Sequence, residues 1–266
     1  MSITDFTAHP IFNPVERELF NLDGFDFNDR LAVIEKRNAE LGVNHTHLCL
    51  FDEMVFRRGR QKDDIKLAAD GSAFSFSYLP DFRNKTWQET LNSAVDVGVK
   101  SVTFHNYLQK IDSTVYDNVK VVAVEAARAG LFICLCSAYG SADMFRFHIL
   151  PLVIELAAEV TCPIVLVHGG GEKIRDALLI AEHASNIYLD TSFSLSWWSK
   201  SSVEIDFAFA INKLGPDRWM FGSDDPFVEI NDAISSHEEF FARHDFSDRH
   251  IDQIMSKTAN KLLNVK

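Results

Sequence analysis

The stretch PIVLVHGGG (163–171) places four apolar residues directly before a histidine and three glycines. A short apolar run that does not alternate with polar residues is typical of a strand buried on both faces of a parallel sheet. The histidine and the glycine turn come where such a strand would end. The stretch therefore predicts an α/β protein with functional groups at the carboxyl ends of its strands.

Seven more apolar or β-branched runs share this character and are separated by helical patterns. The eight predicted strands cover residues 2–9, 44–51, 73–79, 101–105, 131–137, 163–168, 186–190 and 218–224. They begin about every 30 residues, as expected when each strand has its own crossover helix. With no Pro/Gly/Ser-rich linker, the chain is predicted to be one (β/α)8 TIM barrel domain over residues 1–266. A doubly wound open sheet is the main alternative.

The predicted helices have recognisable starts and ends. They cover residues 28–42, 86–98, 114–130, 145–160, 173–185, 201–215, 229–244 and 247–265. Thr86-x-x-Glu89 and Ser201-x-x-Glu204 fit capping boxes, and the predicted helices 28–42, 86–98 and 114–130 close with the glycines at positions 42, 98 and 130.

Composition excludes several classes of partner. The formal net charge is −12, which argues against nucleic acid and anionic membranes, and the one basic cluster, FRRGRQK (56–62), indicates a solvated loop or helix start. No signal peptide or membrane-spanning run is seen, and the four cysteines show no disulfide pattern, so we expect a cytoplasmic protein with a small-molecule substrate. The tail helix and the many phenylalanines leave a homo-oligomer open.

Polar side chains follow the apolar strands at their carboxyl ends. Sequence signatures of nucleotide-binding loops, G-x-S-x-G esterases and H-E-x-x-H metalloproteases are absent. In a barrel the strand ends meet at one mouth, so their polar groups would converge there. The residues in question are His9, His105, Cys136, Ser137, His168, Asp190, Ser192 and Asp224.

Several segments together resemble the amidohydrolase-related metal-dependent hydrolases of the amidohydrolase superfamily. The segments are DFTAHP (5–10), SVTFHNY (101–107), PIVLVHGGG (163–171), NIYLDTSF (186–193), GPDRWMFGSDDPF (215–227) and SKTANKLLNV (256–265). The resemblance implies a (β/α)8 barrel with one divalent metal, usually zinc, whose bound water attacks a carbonyl carbon. Some members of this group decarboxylate aromatic or unsaturated acids, and a few lactonase-like members use no metal.

The resemblance also implies roles for individual residues, and two expected ligands are replaced. His9 matches the second histidine of the first-strand pair, whose first position holds Thr7. The fifth-strand histidine is replaced by Cys136, or by Ser137 if the alignment shifts by one. His168 matches the sixth-strand histidine that polarises the substrate or handles protons, and the strand-eight aspartate is Asp224.

The implied metal site therefore has an incomplete ligand set. His9, Asp224 and Cys136 would hold zinc, with water completing the shell, but the threonine and the cysteine leave metal occupancy open. Cys136 has three interpretations: a buried apolar side chain, a thiolate ligand or a nucleophile. Asp224 would be the catalytic base and His168 its acid–base partner.

Other residues are predicted to bind substrate or to be structural. We expect Thr7, His105, Tyr139 and Trp197 to contact the substrate, because the aromatic residues just after strand ends suit an aromatic or unsaturated acid. His45 and His47 begin their strand, so a structural role is expected for them.

Three functional hypotheses follow. The first is a metal-dependent hydrolase acting on a small ester, lactone or amide. The second is a metal-independent lactonase or a decarboxylase-like enzyme of the same fold. The third is a barrel that binds a small molecule without catalysis.

Overall fold

Eight parallel strands in sequential order form the barrel that the sequence predicts. The structure is a computed structural model that describes residues 2–10, 27–51, 59–71, 73–139 and 141–265. The strands are β1 (Ile3–Ala8), β2 (Val43–Leu50), β3 (Phe74–Tyr78), β4 (Ser101–His105), β5 (Phe132–Cys136), β6 (Ile164–Val167), β7 (Ile187–Asp190) and β8 (Trp219–Met220). These bounds agree with the prediction to within a few residues at each end.

Helices follow the strands and cover the outside of the sheet. They are α1 (Phe27–Glu40), α2 (Gly59–Asp70), α3 (Trp87–Asp96), α4 (Tyr116–Arg128), α5 (Leu150–Glu159), α6 (Ile174–His183), α7 (Ser194–Trp197), α8 (Ser202–Leu214), α9 (Ile230–Arg243), α10 (Asp248–Asp252) and α11 (Thr258–Leu263). A π-helical turn, Gln253–Lys257, joins α10 to α11, so the predicted tail helix is interrupted. In the described part of the chain, no helix is long and apolar enough to cross a membrane.

The barrel closes where the first strand meets the last. The amide of Phe6 donates to the carbonyl of Phe221 (2.9 Å), and the amide of Asp224 donates to the carbonyl of Thr7 (2.7 Å). On the same seam, the buried Asp5 accepts hydrogen bonds from the backbone and the hydroxyl of Ser223. The first and last strands are thus joined next to the residues of the candidate site.

The interior of the barrel is polar on the side of β2, β3 and β4. His47 lies between the rings of Phe6 (5.2 Å) and Phe132 (5.6 Å), two residues on other strands, which places its side chain inside the barrel. Its two nitrogens meet the hydroxyls of Ser75 (2.8 Å) and Ser101 (3.0 Å). Burial lowers the pKa of His47 to about 3, so the ring is neutral and serves as an internal hydrogen-bonding group.

The helix starts depart from the predicted capping boxes. Thr86 caps α3 without a side-chain hydrogen bond to the helix. Ser201 accepts from the amide of Val203, so it caps α8 as predicted, but Glu204 turns to Arg243 and His244 on and beyond α9. Glu204 also accepts from the backbone amide of Lys200 (2.5 Å), the residue before Ser201, so the box is not closed on Ser201 itself and the charge-assisted bond from Arg243 adds to the stabilisation of the carboxylate.

Candidate active site at the carboxyl ends of the strands

Five ionisable side chains form one row at the mouth of the barrel. All are largely buried, with exposed fractions between 2% and 8%. They come from five strands or the residues just after them, so no two neighbours in the row are close in sequence. The row runs His9, Asp224, His168, Cys136 and His105.

His9 and Asp224 form an ion pair at one end of the row. The Nε2 atom of His9 lies 3.1 Å from Oδ1 of Asp224, and Nδ1 lies 3.3 Å from the carbonyl oxygen of Cys49. Both partners are acceptors, so both ring nitrogens carry hydrogen. Burial opposes the charge, but the hydrogen bonds to Asp224 and Cys49 raise the pKa of His9 well above its ordinary value. His9 is therefore an imidazolium that fixes the Asp224 carboxylate.

Ser192 holds the ring of His168 in one orientation. Its Nδ1 atom lies 3.1 Å from the carbonyl oxygen of Ser192 and 2.9 Å from the hydroxyl of that serine. Since the carbonyl only accepts, Nδ1 carries hydrogen and Nε2 is left for the site. Burial lowers the pKa of His168, but the negative charges of Asp224 and Cys136 outweigh it and raise the pKa to about 10. His168 is thus a cation at neutral pH.

Asp190 accepts hydrogen bonds that hold His168, Ser192 and Thr7 in place. Its Oδ1 atom accepts from the backbone amide of His168 (2.7 Å) and from the hydroxyl of Ser192 (2.6 Å). Its Oδ2 atom accepts from the hydroxyl of Thr7. Thr7, predicted to contact substrate, therefore directs its hydroxyl hydrogen to Asp190. Asp190 and Ser192 were placed at a strand end from the sequence, but neither was assigned a role.

Cys136 lies between two histidines. It is directly opposite His105 in the pairing of β4 with β5, and His168 follows the neighbouring strand β6. Burial alone would raise the pKa of the thiol, but His105 and His168 beside it lower the pKa to about 6. The alternative residue, Ser137, has its hydroxyl engaged by the carbonyl of Val167 (2.8 Å) and the amide of Gly170 (2.9 Å).

His105 ends the row against aromatic rings. The edge of Tyr107 packs on it with a centroid distance of 4.3 Å, and Phe51 lies 6.2 Å away. Its Nδ1 atom is buried with no hydrogen-bond partner within normal geometry in the described part of the chain. A buried imidazole nitrogen without a partner is costly unless a water or a ligand reaches it.

Aromatic residues surround the mouth. Trp197 is 61% exposed and stacks on Phe193 at 5.3 Å, and Phe193 in turn lies 6.0 Å from His168. Tyr139 follows β5 but directs its hydroxyl to Nδ1 of His148 (3.2 Å), within the wall of the barrel. Phe193 and Phe51 were not singled out from the sequence, although both follow a strand end.

The backbone is strained at several of these positions. Tyr139, His168, Phe193 and Asp224 all have positive φ angles, between 45° and 70°. Residues with a Cβ rarely adopt this conformation, and such residues concentrate at functional sites. At Asp224 the turn sends the next residue outward: Asp225 makes a bidentate ion pair with Arg37 at 2.8 and 3.0 Å.

The described residues do not fit a zinc site with three protein ligands. His9 and Asp224 supply two neighbouring donor atoms, but a catalytic zinc takes three. No group of three or more His, Cys, Asp or Glu side chains among residues 2–10, 27–51, 59–71, 73–139 and 141–265 is arranged to hold a metal ion. Cys136 contacts two histidines, and the hydroxyl of Thr7 is both a weak ligand and bound to Asp190.

Comparison with known proteins gives one family match and many similar folds. A family model described as amidohydrolase matches residues 60–265, and no curated protein matches the sequence. An amidohydrolase from Burkholderia multivorans with bound zinc has a TM-score of 0.70 at 13% identity, over 100% of both chains. A probable 2-pyrone-4,6-dicarboxylic acid hydrolase from Acinetobacter baumannii, with citric acid bound, has 0.70 at 13%, over 99% of this chain and 100% of that one. A 2,6-dihydroxybenzoate decarboxylase from Rhizobium has 0.67 at 14%, over 99% of both chains.

Proposed function

This chain belongs to the amidohydrolase family, and from that premise we propose that it hydrolyses a small, activated ester or lactone. The observation that carries the proposal is that His168 and Asp224 are both buried at the mouth of the barrel, close enough for the negative charge of Asp224 to raise the pKa of His168. An acid and a base held on opposite sides of a reacting carbonyl are what hydrolysis requires. Structures of similar fold include a pyrone dicarboxylic acid hydrolase and a decarboxylase, so both reaction classes occur on this barrel.

His168 has the properties of the acid. Its Nδ1 hydrogen is bound to Ser192, so the proton on Nε2 faces the reacting groups. In the proposed reaction Nε2–H first donates a hydrogen bond to the substrate and then protonates the leaving alkoxide oxygen as the C–O bond breaks. The negative charges that raise the pKa of His168 keep this proton in place until the leaving group develops charge.

Asp224 has the properties of the base. His9 donates to one carboxylate oxygen, which leaves the second oxygen to accept a proton from water. The pair fixes the carboxylate in one orientation, so no reorganisation is needed as the water attacks the carbonyl carbon.

The surroundings favour a planar substrate with a good leaving group. The described residues supply no three-ligand metal site to generate hydroxide, so the bond cleaved should be an activated ester or lactone rather than an unactivated amide. The rings of Trp197 and Phe193 at the mouth suit an aromatic or unsaturated acyl group. All four cysteines are free thiols, which fits the cytoplasmic location predicted from the sequence.

The test is a panel of aryl esters, lactones and amides with the purified full chain and two variants. Asp224→Asn and His168→Asn should each lower kcat by about 10² to 10⁴ on any ester or lactone that is cleaved. The matched control is Asp96→Asn, which changes an exposed carboxylate on α3 and should leave kcat unchanged. Folding of each variant is checked by circular dichroism.

Two results would contradict the proposal. One is a folded protein that cleaves nothing in the panel. The other is activity that disappears with a chelator and returns with zinc, which would favour the metal-dependent hydrolase implied by the family resemblance and a ligand set completed outside the described residues.

A further inference from the structure

We propose that the outer face of α6 and α8 binds a second copy of this chain, with each helix antiparallel to its counterpart across a two-fold axis. This face lies on the outside of the barrel wall rather than at the mouth, so the inference is independent of the proposed hydrolase function. It stands on three exposed apolar side chains and on the signs of four charges around them.

The apolar side chains lie together on two neighbouring helices. Leu179 on α6 is 65% exposed, and Ile205 and Phe209 on α8 are 62% and 55% exposed. Ile205 and Phe209 are four residues apart, so they share one side of α8, and α6 packs directly beside that helix. Large apolar side chains grouped in this way on a surface are typical of protein–protein contact sites.

Two ion pairs frame these side chains. The Nε atom of Arg175 lies 3.5 Å from Oδ2 of Asp206, and Nζ of Lys213 lies 3.2 Å from Oε1 of Glu182. On each helix the two charged residues are seven positions, or about two turns, apart. The helices therefore run parallel and in register, and the four charges form the corners of a rectangle.

The signs of the four charges alternate around the rectangle. On α6 a cation is followed two turns later by an anion, and on α8 an anion is followed by a cation. A two-fold axis that crosses both helices at mid-height brings the first corner of each helix opposite the second corner of its counterpart. Every cation then faces an anion, so the charges are complementary to their own copy, as an isologous contact requires. They also sum to zero, on a chain whose net charge is −12.

The same axis passes at the level of Leu179 and Phe209. Each of them lies three or four residues from both charged residues of its own helix, so each is at mid-height and meets its own counterpart in the second copy. An axis parallel to the helices would also pair opposite charges, but it would align the helix dipoles. The crossing axis makes the helices antiparallel, which the dipoles favour.

The size of the face sets the strength of the dimer. The 13 residues of α8 and the 10 residues of α6 span about 20 Å and 15 Å, and two packed helices are about 20 Å wide. The contact would therefore cover about 400 to 500 Å² on each copy, close to the lower limit of about 1,000 Å² in total for a specific interface. We expect a dissociation constant in the micromolar range.

The first experiment measures association by sedimentation equilibrium of the full chain between about 2 and 200 µM. The weight-average mass should rise from that of the 30.1 kDa monomer towards twice that value. Phe209→Asp and Leu179→Asp should each weaken association at least about tenfold. Leu67→Asp on α2 is the matched control, because it adds the same charge to a leucine that is 75% exposed on another helix. A monomer throughout the range would overturn the proposal, as would a dimer that Phe209→Asp leaves intact.

The second experiment tests the charge pattern without changing the net charge. The double variant Glu182→Lys/Lys213→Glu keeps an ion pair between the two helices but sets like charges opposite each other across the crossing axis. It should weaken association about tenfold. Adding Arg175→Asp and Asp206→Arg reverses the other pair as well, so opposite charges face each other again and association should recover. Wild-type association by the double variant, or no recovery in the quadruple variant, would contradict the antiparallel arrangement. Circular dichroism confirms that each variant is folded.

Discussion

Replacing Gly171 with alanine should destabilise the protein strongly. A Cβ atom at this position would lie 1.6 Å from the carbonyl oxygen of Ala138, and the backbone has φ +51° and ψ −126°. Neither the conformation nor the space admits a side chain, so the loop that follows Cys136 must move. A positive φ costs about 1 to 2 kcal/mol, and displacing packed groups costs about 1 to 3 kcal/mol more. We therefore expect a loss of about 2 to 5 kcal/mol in the free energy of unfolding.

The matched control is Gly130→Ala. Gly130 also has a positive φ (+85°), but an added Cβ there meets no atom within 4 Å. It should cost about 1 kcal/mol, the conformational part alone. Urea unfolding followed by tryptophan fluorescence measures both variants, and thermal unfolding should show Gly171→Ala roughly 10 °C below wild type.

The decisive measurement is the difference in the free energy of unfolding between Gly171→Ala and Gly130→Ala. If Gly171→Ala loses no more stability than Gly130→Ala, the contact between the glycine turn and the loop after β5 does not exist in solution. Any ester hydrolysis by Gly171→Ala should also fall, because the displaced Ala138 is only two residues from Cys136.

Two further predictions concern buried ionisable side chains, His47 inside the barrel and Asp225 beside α1. The folded-state pKa of His47 lies at about 3 against 6.5 for the unfolded chain, so its contribution to stability is present above pH 6.5 and is lost as the pH falls from 6.5 towards 3. The loss is about 1.4 kcal/mol per pH unit, and His47→Gln should flatten the slope in urea unfolding across that window; an unchanged slope contradicts the assignment. Asp225→Ala leaves two arginines without their buried partner and should cost about 3 to 5 kcal/mol, whereas the exposed pair broken by Asp96→Ala should cost less than about 1 kcal/mol. Equal losses in the two variants, measured by urea unfolding, would show that burial is not the reason.

The barrel was predictable because its strands are buried on both faces. A run such as Ile164–Val167 has no polar face, and its histidine marks the end almost to the residue. Helix Gly59–Asp70 was predicted only as a loop or helix start at residues 56–62, of which 56–58 lie outside the described residues, because its sequence is highly charged. Among the side chains described at residues 62–70, Ile65 alone is fully buried, which gives no periodicity.

The arrangement within the site was only partly predictable. The fold itself implies that strand ends share one mouth, so the convergence of His9, His168 and Asp224 follows from the topology. The hydrogen-bond partners of the site residues do not follow from the topology. The hydroxyl of Thr7 donates to Asp190, and the hydroxyl of Tyr139 lies next to Nδ1 of His148. Each of these side-chain conformations depends on a partner from another part of the chain, so no local sequence pattern predicts it.

The seam between β1 and β8 gives the site an order of assembly. His9 follows the first strand and Asp224 follows the last, and they meet only when the amides and carbonyls of the two strands have paired. A nascent or truncated polypeptide lacking its final strand would hold the three imidazoles and the thiol of the row but not the Asp224 carboxylate. Hydrolytic turnover should therefore report on the pairing of the first and last strands, and it should appear in a refolding experiment only after the helical signal has recovered.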